Sequence, residues 1–346
     1  MCGIWGIFGS EQDTHEQVPS CFQIKNRGPD CFRFENVNHF ANCAFGFHRL
    51  AIVDDLNGMQ PIRIVTMPHI WMIYNGEIYN YKELQAKYGF NYLTNCDGES
   101  LIHMYNKGGI EFMCQNLYGV FAFILFDTIK KEVYFGRDTF GVRPAFKLTT
   151  PNGVLGVCSE AKGLINLKLD NKNFNIEAVE PGCFEQYNLK LGKDNTYRTE
   201  FVRKFKFHQI GTVPKYDVNV KLVDDYYENI RNCLTNAVKM RLMSQRRIGC
   251  LLSGGLDSSL ISGLLVHEAR KAGITYPIQT FSIGMGDESP DVVAARKVAK
   301  HLQTEHHEVI FSASDAFNAV KDVIRALESY DITTIRASIG NYFFHN

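Results

Sequence analysis

Apolar positions change their spacing part-way along this chain, and the change divides it. Up to about residue 191 they gather in short runs rich in β-branched and aromatic residues, at 44–53, 69–74, 119–127, 132–136 and 154–159. Asn57-Gly58, Asn75-Gly76, Pro151-Asn152-Gly153 and Pro181-Gly182 punctuate the runs as turn signals. Two helices are expected among them: 81–88 behind the cap Asn80, and 98–106 with Leu101, Ile102 and Tyr105 at helical spacing. Packed antiparallel sheets with flanking helices follow for a first, α+β domain over 1–192.

Beyond residue 226 strands and helices alternate. A helix over 226–243 carries Ile230, Leu234, Val238 and Leu242 on one stripe. A strand at 248–252, a Ser/Gly loop, a helix at 258–271 and a strand at 278–283 come next. Helices at 291–302 and 314–330 then flank a strand at 306–311. Such alternation predicts a parallel sheet covered on both faces, an α/β second domain over 226–346. The stretch 193–225 is polar and poorly periodic and reads as an interdomain linker.

Composition narrows the function. Lys plus Arg and Asp plus Glu are each 37 of 346 residues, so no positive excess exists to hold a phosphate backbone, and nucleic acid is not an expected partner. The 10 cysteines show neither a C-x-x-C pair nor a disulfide-like spacing, which points to a reducing compartment. The apolar start lacks a basic leader and runs into Ser10-Glu11-Gln12-Asp13, unlike a signal peptide, and no stretch is long enough to cross a bilayer. A cytoplasmic enzyme acting on small molecules is the expectation.

The chemistry begins at Cys2. Removal of the initiator Met would place a thiol and an α-amine on one carbon. With reference pKa values of about 8.5 and about 7.7 to 8.0, the amine is the partly unprotonated group and can take the thiol's proton. Around it the sequence holds Asn26-Arg27-Gly28-Pro29-Asp30, Phe47-His48-Arg49-Leu50-Ala51-Ile52-Val53, Tyr74-Asn75-Gly76-Glu77, and Cys96-Asp97-Gly98-Glu99. Arg137-Asp138 and Arg143-Pro144 read as internal ion pairs, and His306-His307 as strand neighbours that face opposite ways and share no metal.

Ser253-Gly254-Gly255-Leu256-Asp257-Ser258-Ser259 stands where a strand turns into a helix. Free backbone N–H groups and the helix dipole favour an anion there, and glycines let the main chain approach it. The bland alternative is an ordinary turn with Asp257 as a helix cap. The loop lacks the lysine of a Walker motif. It resembles instead the pyrophosphate loop of ATP pyrophosphatases.

A Cys2 domain joined to such a loop resembles the glutamine-dependent asparagine synthetase family from one end of the chain to the other. The resemblance implies an N-terminal nucleophile (Ntn) hydrolase followed by an incomplete ATP pyrophosphatase (PP-loop) domain. It implies that Cys2 attacks glutamine, that Asn75 and Gly76 form the oxyanion hole, and that Arg49 pairs with the substrate α-carboxylate. Glu77 and Asp97 would hold its α-amine, and the backbone of Leu50, Ala51, Ile52 and Val53 would line the pocket. ATP would contact Leu251, Ser253, Gly254, Gly255, Asp257, Ser258, Ser259 and Ile283. Asp257 would act through Mg2+, and Thr333 and Arg336 would lie near adenylate or pyrophosphate. Ammonia would pass through the interior to β-aspartyl-AMP, giving asparagine, glutamate, AMP and pyrophosphate.

Two departures accompany the resemblance. Asn26 stands where the family usually has His, and the family continues past Asn346 with a Ser-Gly-Glu-Gly-Ser-Asp-Glu segment that completes the nucleotide and aspartate site. Glutamine hydrolysis with weak or absent asparagine synthesis is therefore expected. The alternatives are a glutaminase alone or a non-catalytic partner. Homodimerisation, or association with a full-length synthetase, is the expected assembly.

Overall fold

The computed structural model describes residues 1–54, 56–170, 172–208 and 223–345. The chain divides into two compact units, Met1–Lys215 and Tyr216–Asn346. Among the described residues no helix is long and apolar enough to cross a membrane.

In the first unit one sheet contains β1 (Gly3–Phe8), β2 (Cys31–Val37), β3 (Phe40–Arg49), β8 (Phe146–Thr149), β9 (Leu155–Cys158) and β10 (Asn175–Ala178). The other contains β4 (Ile62–Ile64), β5 (Met67–Ile78), β6 (Gly119–Asp127), β7 (Glu132–Arg137), β11 (Cys183–Leu191) and β12 (Tyr197–Lys206). Their orders are β10-β8-β9-β1-β3-β2 and β12-β11-β7-β6-β5-β4. Among the described residues every pairing of these strands is antiparallel.

Side chains of a strand alternate between faces, so each sheet sorts its residues into two cores. Ile4 and Phe8, Phe45 and Phe47, Trp71 and Ile73, and Ile124 and Phe126 share one cluster between the sheets. The intervening Phe121, Phe123 and Leu125 join Met72 and Tyr74 against Leu101, Ile102 and Tyr105 of helix α3 (Glu99–Asn116). Trp5, Ile7 and Ala44 meet Cys21 of helix α1 (Val18–Cys21) and Leu164 of helix α4 (Lys162–Ile165). With both faces covered, β6 reads as a nearly unbroken apolar run, which is why its bounds of 119–127 were legible. Stacked antiparallel sheets with flanking helices are thus observed.

Several expectations need correction. Asn75-Gly76 is not a turn: both residues lie inside β5, paired to Ala122 and Phe121 of β6. Strand β3 ends at Arg49, so residues 50–53 leave the sheet. Helix α2 (Tyr81–Tyr88) matches the expected span, but the Asn80 side chain makes no cap bond; its Nδ2 donates to the Asn116 carbonyl at 2.9 Å. Helix α3 bends at Gly109 and continues to Asn116, because Ile110, Met113 and Cys114 resume the buried stripe. The stretch 193–225 is not linker throughout. Strand β12 within it pairs with β11 from Leu191↔Tyr197 to Cys183↔Lys206. It is an edge strand whose charges face solvent, as in the Arg203–Glu111 and Lys204–Glu180 ion pairs, and this gave it a polar pattern.

In the second unit β13 (Gly249–Leu251), β14 (Gln279–Met285) and β15 (Glu305–Phe311) form a parallel sheet in that order. Helices α5 (Val223–Met240), α6 (Leu256–Lys271), α7 (Pro290–Leu302), α8 (Ala313–Leu327) and α9 (Ile332–His345) surround it. On adjacent positions of β14, Gly284 lies against Val292 of α7 and Ile283 beside Gly340 of α9, so both faces are covered as expected. A capping box starts α8: Ser312 and Asp315 each accept the other's backbone N–H.

Candidate active site

The inward rows of three strands turn polar at the same end of the first unit. Gly3 pairs with His48, so Cys2 and Arg49 stand just beyond on facing strands. Cys2 continues the row of Ile4 and Phe8, and Arg49 that of Phe45 and Phe47. Asn75 and Glu77 continue that of Trp71 and Ile73. Cys2, Arg49, Leu50, Ile52, Val53, Asn75, Gly76, Glu77 and Asp97 all line one cleft, with about 440 Å³ of empty space including its mouth. Ala51 is the exception. It is buried outside that lining and donates its N–H to Asp30 Oδ2 at 2.8 Å.

The Cys2 thiol lies 3.4 Å from the Leu50 carbonyl and 3.4 Å from the Leu50 N–H. Burial pushes its pKa up, more than the Leu50 backbone lowers it, so the neutral thiol dominates and a base must take its proton. Met1 precedes it, and burial holds the Met1 ammonium below its ordinary range. Arg27 donates Nε to the Cys2 carbonyl at 2.9 Å and Nη1 to Glu160 at 2.8 Å, fixing the start of β1.

Asn75 is 2 % exposed, yet its Nδ2 has no hydrogen-bond partner. A buried amide left unpaired costs about 1 to 3 kcal/mol, so an orphan donor in the cleft that Cys2 also lines calls for an acceptor. Gly76 follows at φ +148, where a Cβ would sit 1.9 Å from the Val120 carbonyl oxygen. Only glycine keeps this backbone inside β5.

Asp97 is buried with both oxygens engaged, accepting from Tyr74 OH at 2.8 Å and from Ile78 N–H at 2.7 Å. Burial pushes its pKa up to about 6 against the lowering effect of those donors. Glu77 pairs with Arg143, and Arg49 donates Nη2 to the Asp54 carbonyl. Asp54 accepts the N–H of Asn57 at 3.0 Å and of Asn95 at 2.9 Å, which secures the loop after β3.

Sequence reasoning missed Gly58, Gln60, Tyr74 and Cys96 in the lining, and the contact of Arg143 with Glu77. Tyr74 and Cys96 adjoin residues already singled out and Gln60 carries no local signal, while the internal ion pair expected for Arg143 is found, with Glu77 as its partner. The expected Arg137–Asp138 ion pair is replaced: Asp138 accepts the N–H groups of Phe140, Val142 and Arg143, which orders the loop presenting Arg143. Arg137 donates to the carbonyls of Val179 and Gly141 instead.

In the second unit Gly255, not Asp257, is the cap of α6, and Asp257 stands exposed in its first turn. Gly254 has φ +79, and a Cβ there would lie 2.4 Å from the Ala295 nitrogen, so the loop rests on the backbone of α7. The Ser253 and Ser258 hydroxyls are 2.9 Å apart. Ser259 Oγ is buried and without a partner. Leu251 ends β13 and Ile283 lies two positions beyond its partner Phe281, at the carboxyl ends of the parallel strands where ligands bind such sheets.

Thr333 and Arg336 are exposed on α9. Nothing places them at the loop. Glycines, hydroxyls and an orphan Ser259 Oγ fit phosphate oxygens. For Mg2+ the loop offers Asp257, and no group of three or more His, Cys, Asp or Glu occurs among the described residues. His306 has Thr280 Oγ1 at 2.9 Å and Ser282 Oγ at 3.1 Å from its two ring nitrogens.

Residues 1–223 match the family model described as glutamine amidotransferase domain. The chain belongs to that family. Residues 229–346 match the asparagine synthase model. Among curated relatives, the glutamine-hydrolyzing asparagine synthetase of Gallus gallus is 52 % identical over 99 % of the chain, and that of Homo sapiens is 51 % identical over 99 %. The chain spans 62 % of the length of both. A solved glutamine phosphoribosylpyrophosphate amidotransferase from B. subtilis is similar over 98 % of this amidotransferase-family chain and 93 % of its own, at 14 % identity and TM-score 0.48.

Proposed function

We propose that Cys2, freed of Met1, hydrolyses the side-chain amide of glutamine, and that the ammonia converts β-aspartyl-AMP, made from aspartate and ATP, to asparagine. The observation that carries this reading is the unpaired Asn75 Nδ2 in the cleft that holds the Cys2 thiol. The α-amine of Cys2 takes the thiol proton, and sulfur attacks the amide carbon. The oxyanion accepts from Asn75 Nδ2 and Gly76 N–H, and the proton passes to the departing nitrogen, which leaves as ammonia. Water then cleaves the thioester to glutamate and restores the thiol. Arg49 holds the substrate α-carboxylate; Glu77 and Asp97 hold its α-ammonium.

Residues 1–192 carry this half and 226–346 the nucleotide half. There the loop 253–259, Leu251 and Ile283 bind ATP, Thr333 and Arg336 reach adenylate or pyrophosphate, and Asp257 holds Mg2+, which offsets phosphate charge when bound. A glutaminase alone is the second reading, favoured because no group of three or more His, Cys, Asp or Glu placed to hold a metal ion occurs among the described residues.

The test uses the purified chain and its Cys2→Ala variant. Glutamate release by the first and a loss of at least about 10³-fold in the second supports the amidase. Equal rates would sink it. Pyrophosphate release that requires both ATP and aspartate separates synthetase from glutaminase.

A further inference from the structure

Gln60 is 3 % exposed and lines the cleft. Its side-chain oxygen accepts the Tyr74 backbone N–H at 2.6 Å. That N–H can only donate, so the atom facing it is Oε1 and the NH2 group points elsewhere. The NH2 makes no hydrogen bond among the described residues, and it is not sealed away as Asn75 Nδ2 is. Gln60 therefore offers the cleft a fixed, donor-only group.

Tyr74 fixes two sides of the cleft at once. Its N–H orients Gln60, and its hydroxyl orients Asp97. Gly58, two residues before Gln60, lies against Arg49, since a Cβ there would be 2.6 Å from Arg49 Nη2. The segment from Gly58 to Gln60 thus starts against the guanidinium.

A donor-only group needs an acceptor. Of the polar groups of glutamine, the ammonium is a donor facing Glu77 and Asp97, and the amide oxygen belongs to Asn75 and Gly76. The α-carboxylate remains. We propose that Gln60 Nε2 donates to the α-carboxylate beside Arg49, making Gln60 a specificity-determining residue for α-amino acid amides. This rests on the glutamine reading above.

Gln60→Glu tests it, because a carboxylate still accepts the Tyr74 N–H while the donor is replaced by negative charge. The expected result is an unchanged Tm, a KM for glutamine raised about tenfold or more, and a kcat within about threefold of wild type. Inhibition by L-glutamate should weaken equally, and inhibition by 4-aminobutyrate, which lacks the α-carboxylate, should not change. A KM within about twofold of wild type, or an equal loss for both inhibitors, overturns the proposal. Should the variant not fold, a crystal structure of the wild-type chain with L-glutamate decides: Nε2 within about 3.2 Å of the α-carboxylate supports it and a longer separation overturns it. Absence of glutamine hydrolysis by wild type would instead refute the underlying reading.

Discussion

Asn75 in the first unit and Ser259 in the second each bury a polar atom without a partner, but they stand in opposite surroundings. Around Asn75 the neighbours are committed: Asp97 to Tyr74 and Ile78, Glu77 to Arg143, Gln60 to Tyr74. Around Ser259 the loop is open, with Ser253, Gly255, Leu256 and Asp257 exposed and Leu251 57 % exposed. Both leave a hydrogen bond unmade. The first lies in a cleft whose other polar groups are already held by protein partners, and preorganised donors are the ones that lower a barrier.

The most severe way to break that contrast is Asn75→Ala. If the orphan Nδ2 serves the oxyanion, kcat for glutamine hydrolysis falls about 10²- to 10³-fold with KM little changed and Tm equal or higher. An unchanged kcat would reduce Asn75 to a packing residue. In the second unit the counterpart is Gly254→Ala. At φ +79, against the Ala295 nitrogen, a methyl group has no room, and displacing α7 should cost about 2 kcal/mol or more. The second unit's melting transition should move down while glutamine hydrolysis stays within about twofold of wild type; parallel loss of both would show that the two units do not act separately.

The same contrast explains what the sequence disclosed. Cys2 stood out by its place behind the initiator Met, Arg49 and Asp97 through the family resemblance, and the loop 253–259 by its place between strand and helix. Asn75-Gly76 has the composition of a hairpin turn, yet it lies in β5, because a missing Cβ lets the Val120 carbonyl approach and leaves Asn75 facing the core. Here strand pairing overrides the local turn rule. Gln60 was invisible, and Arg143 was read as part of an internal ion pair without its partner, because Tyr74 and Glu77 are 14 and 66 positions away. Strand β12 was hidden by its own charges.

A gentler probe is pH. The folded Asp97 titrates at about 6 against an ordinary value of 3.8, raised chiefly by burial. On the glutamine reading, its negative charge would face the substrate ammonium only above that pH. KM for glutamine should therefore rise as pH falls through about 6, by up to about tenfold per unit, with Glu77 retaining part of the attraction. The stability consequence has the opposite sense. A carboxyl whose folded pKa is raised contributes stability fully below about 3.8 and loses it as pH rises through about 6, so ionised Asp97 costs stability at neutral pH. Asp97→Asn should raise Tm at pH 7.5 and raise KM, and a lower Tm there would refute the account.

The smallest expected effect discriminates most sharply between the two orphans. Ser259 Oγ has no partner to lose, so Ser259→Ala removes an unsatisfied hydroxyl and should leave the second unit's Tm equal or slightly higher. If that hydroxyl waits for a phosphate oxygen at the start of α6, pyrophosphate should bind about three- to tenfold more weakly by calorimetry, as expected for one lost hydrogen bond to a charged group. Unchanged affinity would mean that the unpaired hydroxyl is tolerated and not used. The loop would then bind through backbone N–H groups alone, and the likeness between Asn75 and Ser259 would end at their burial.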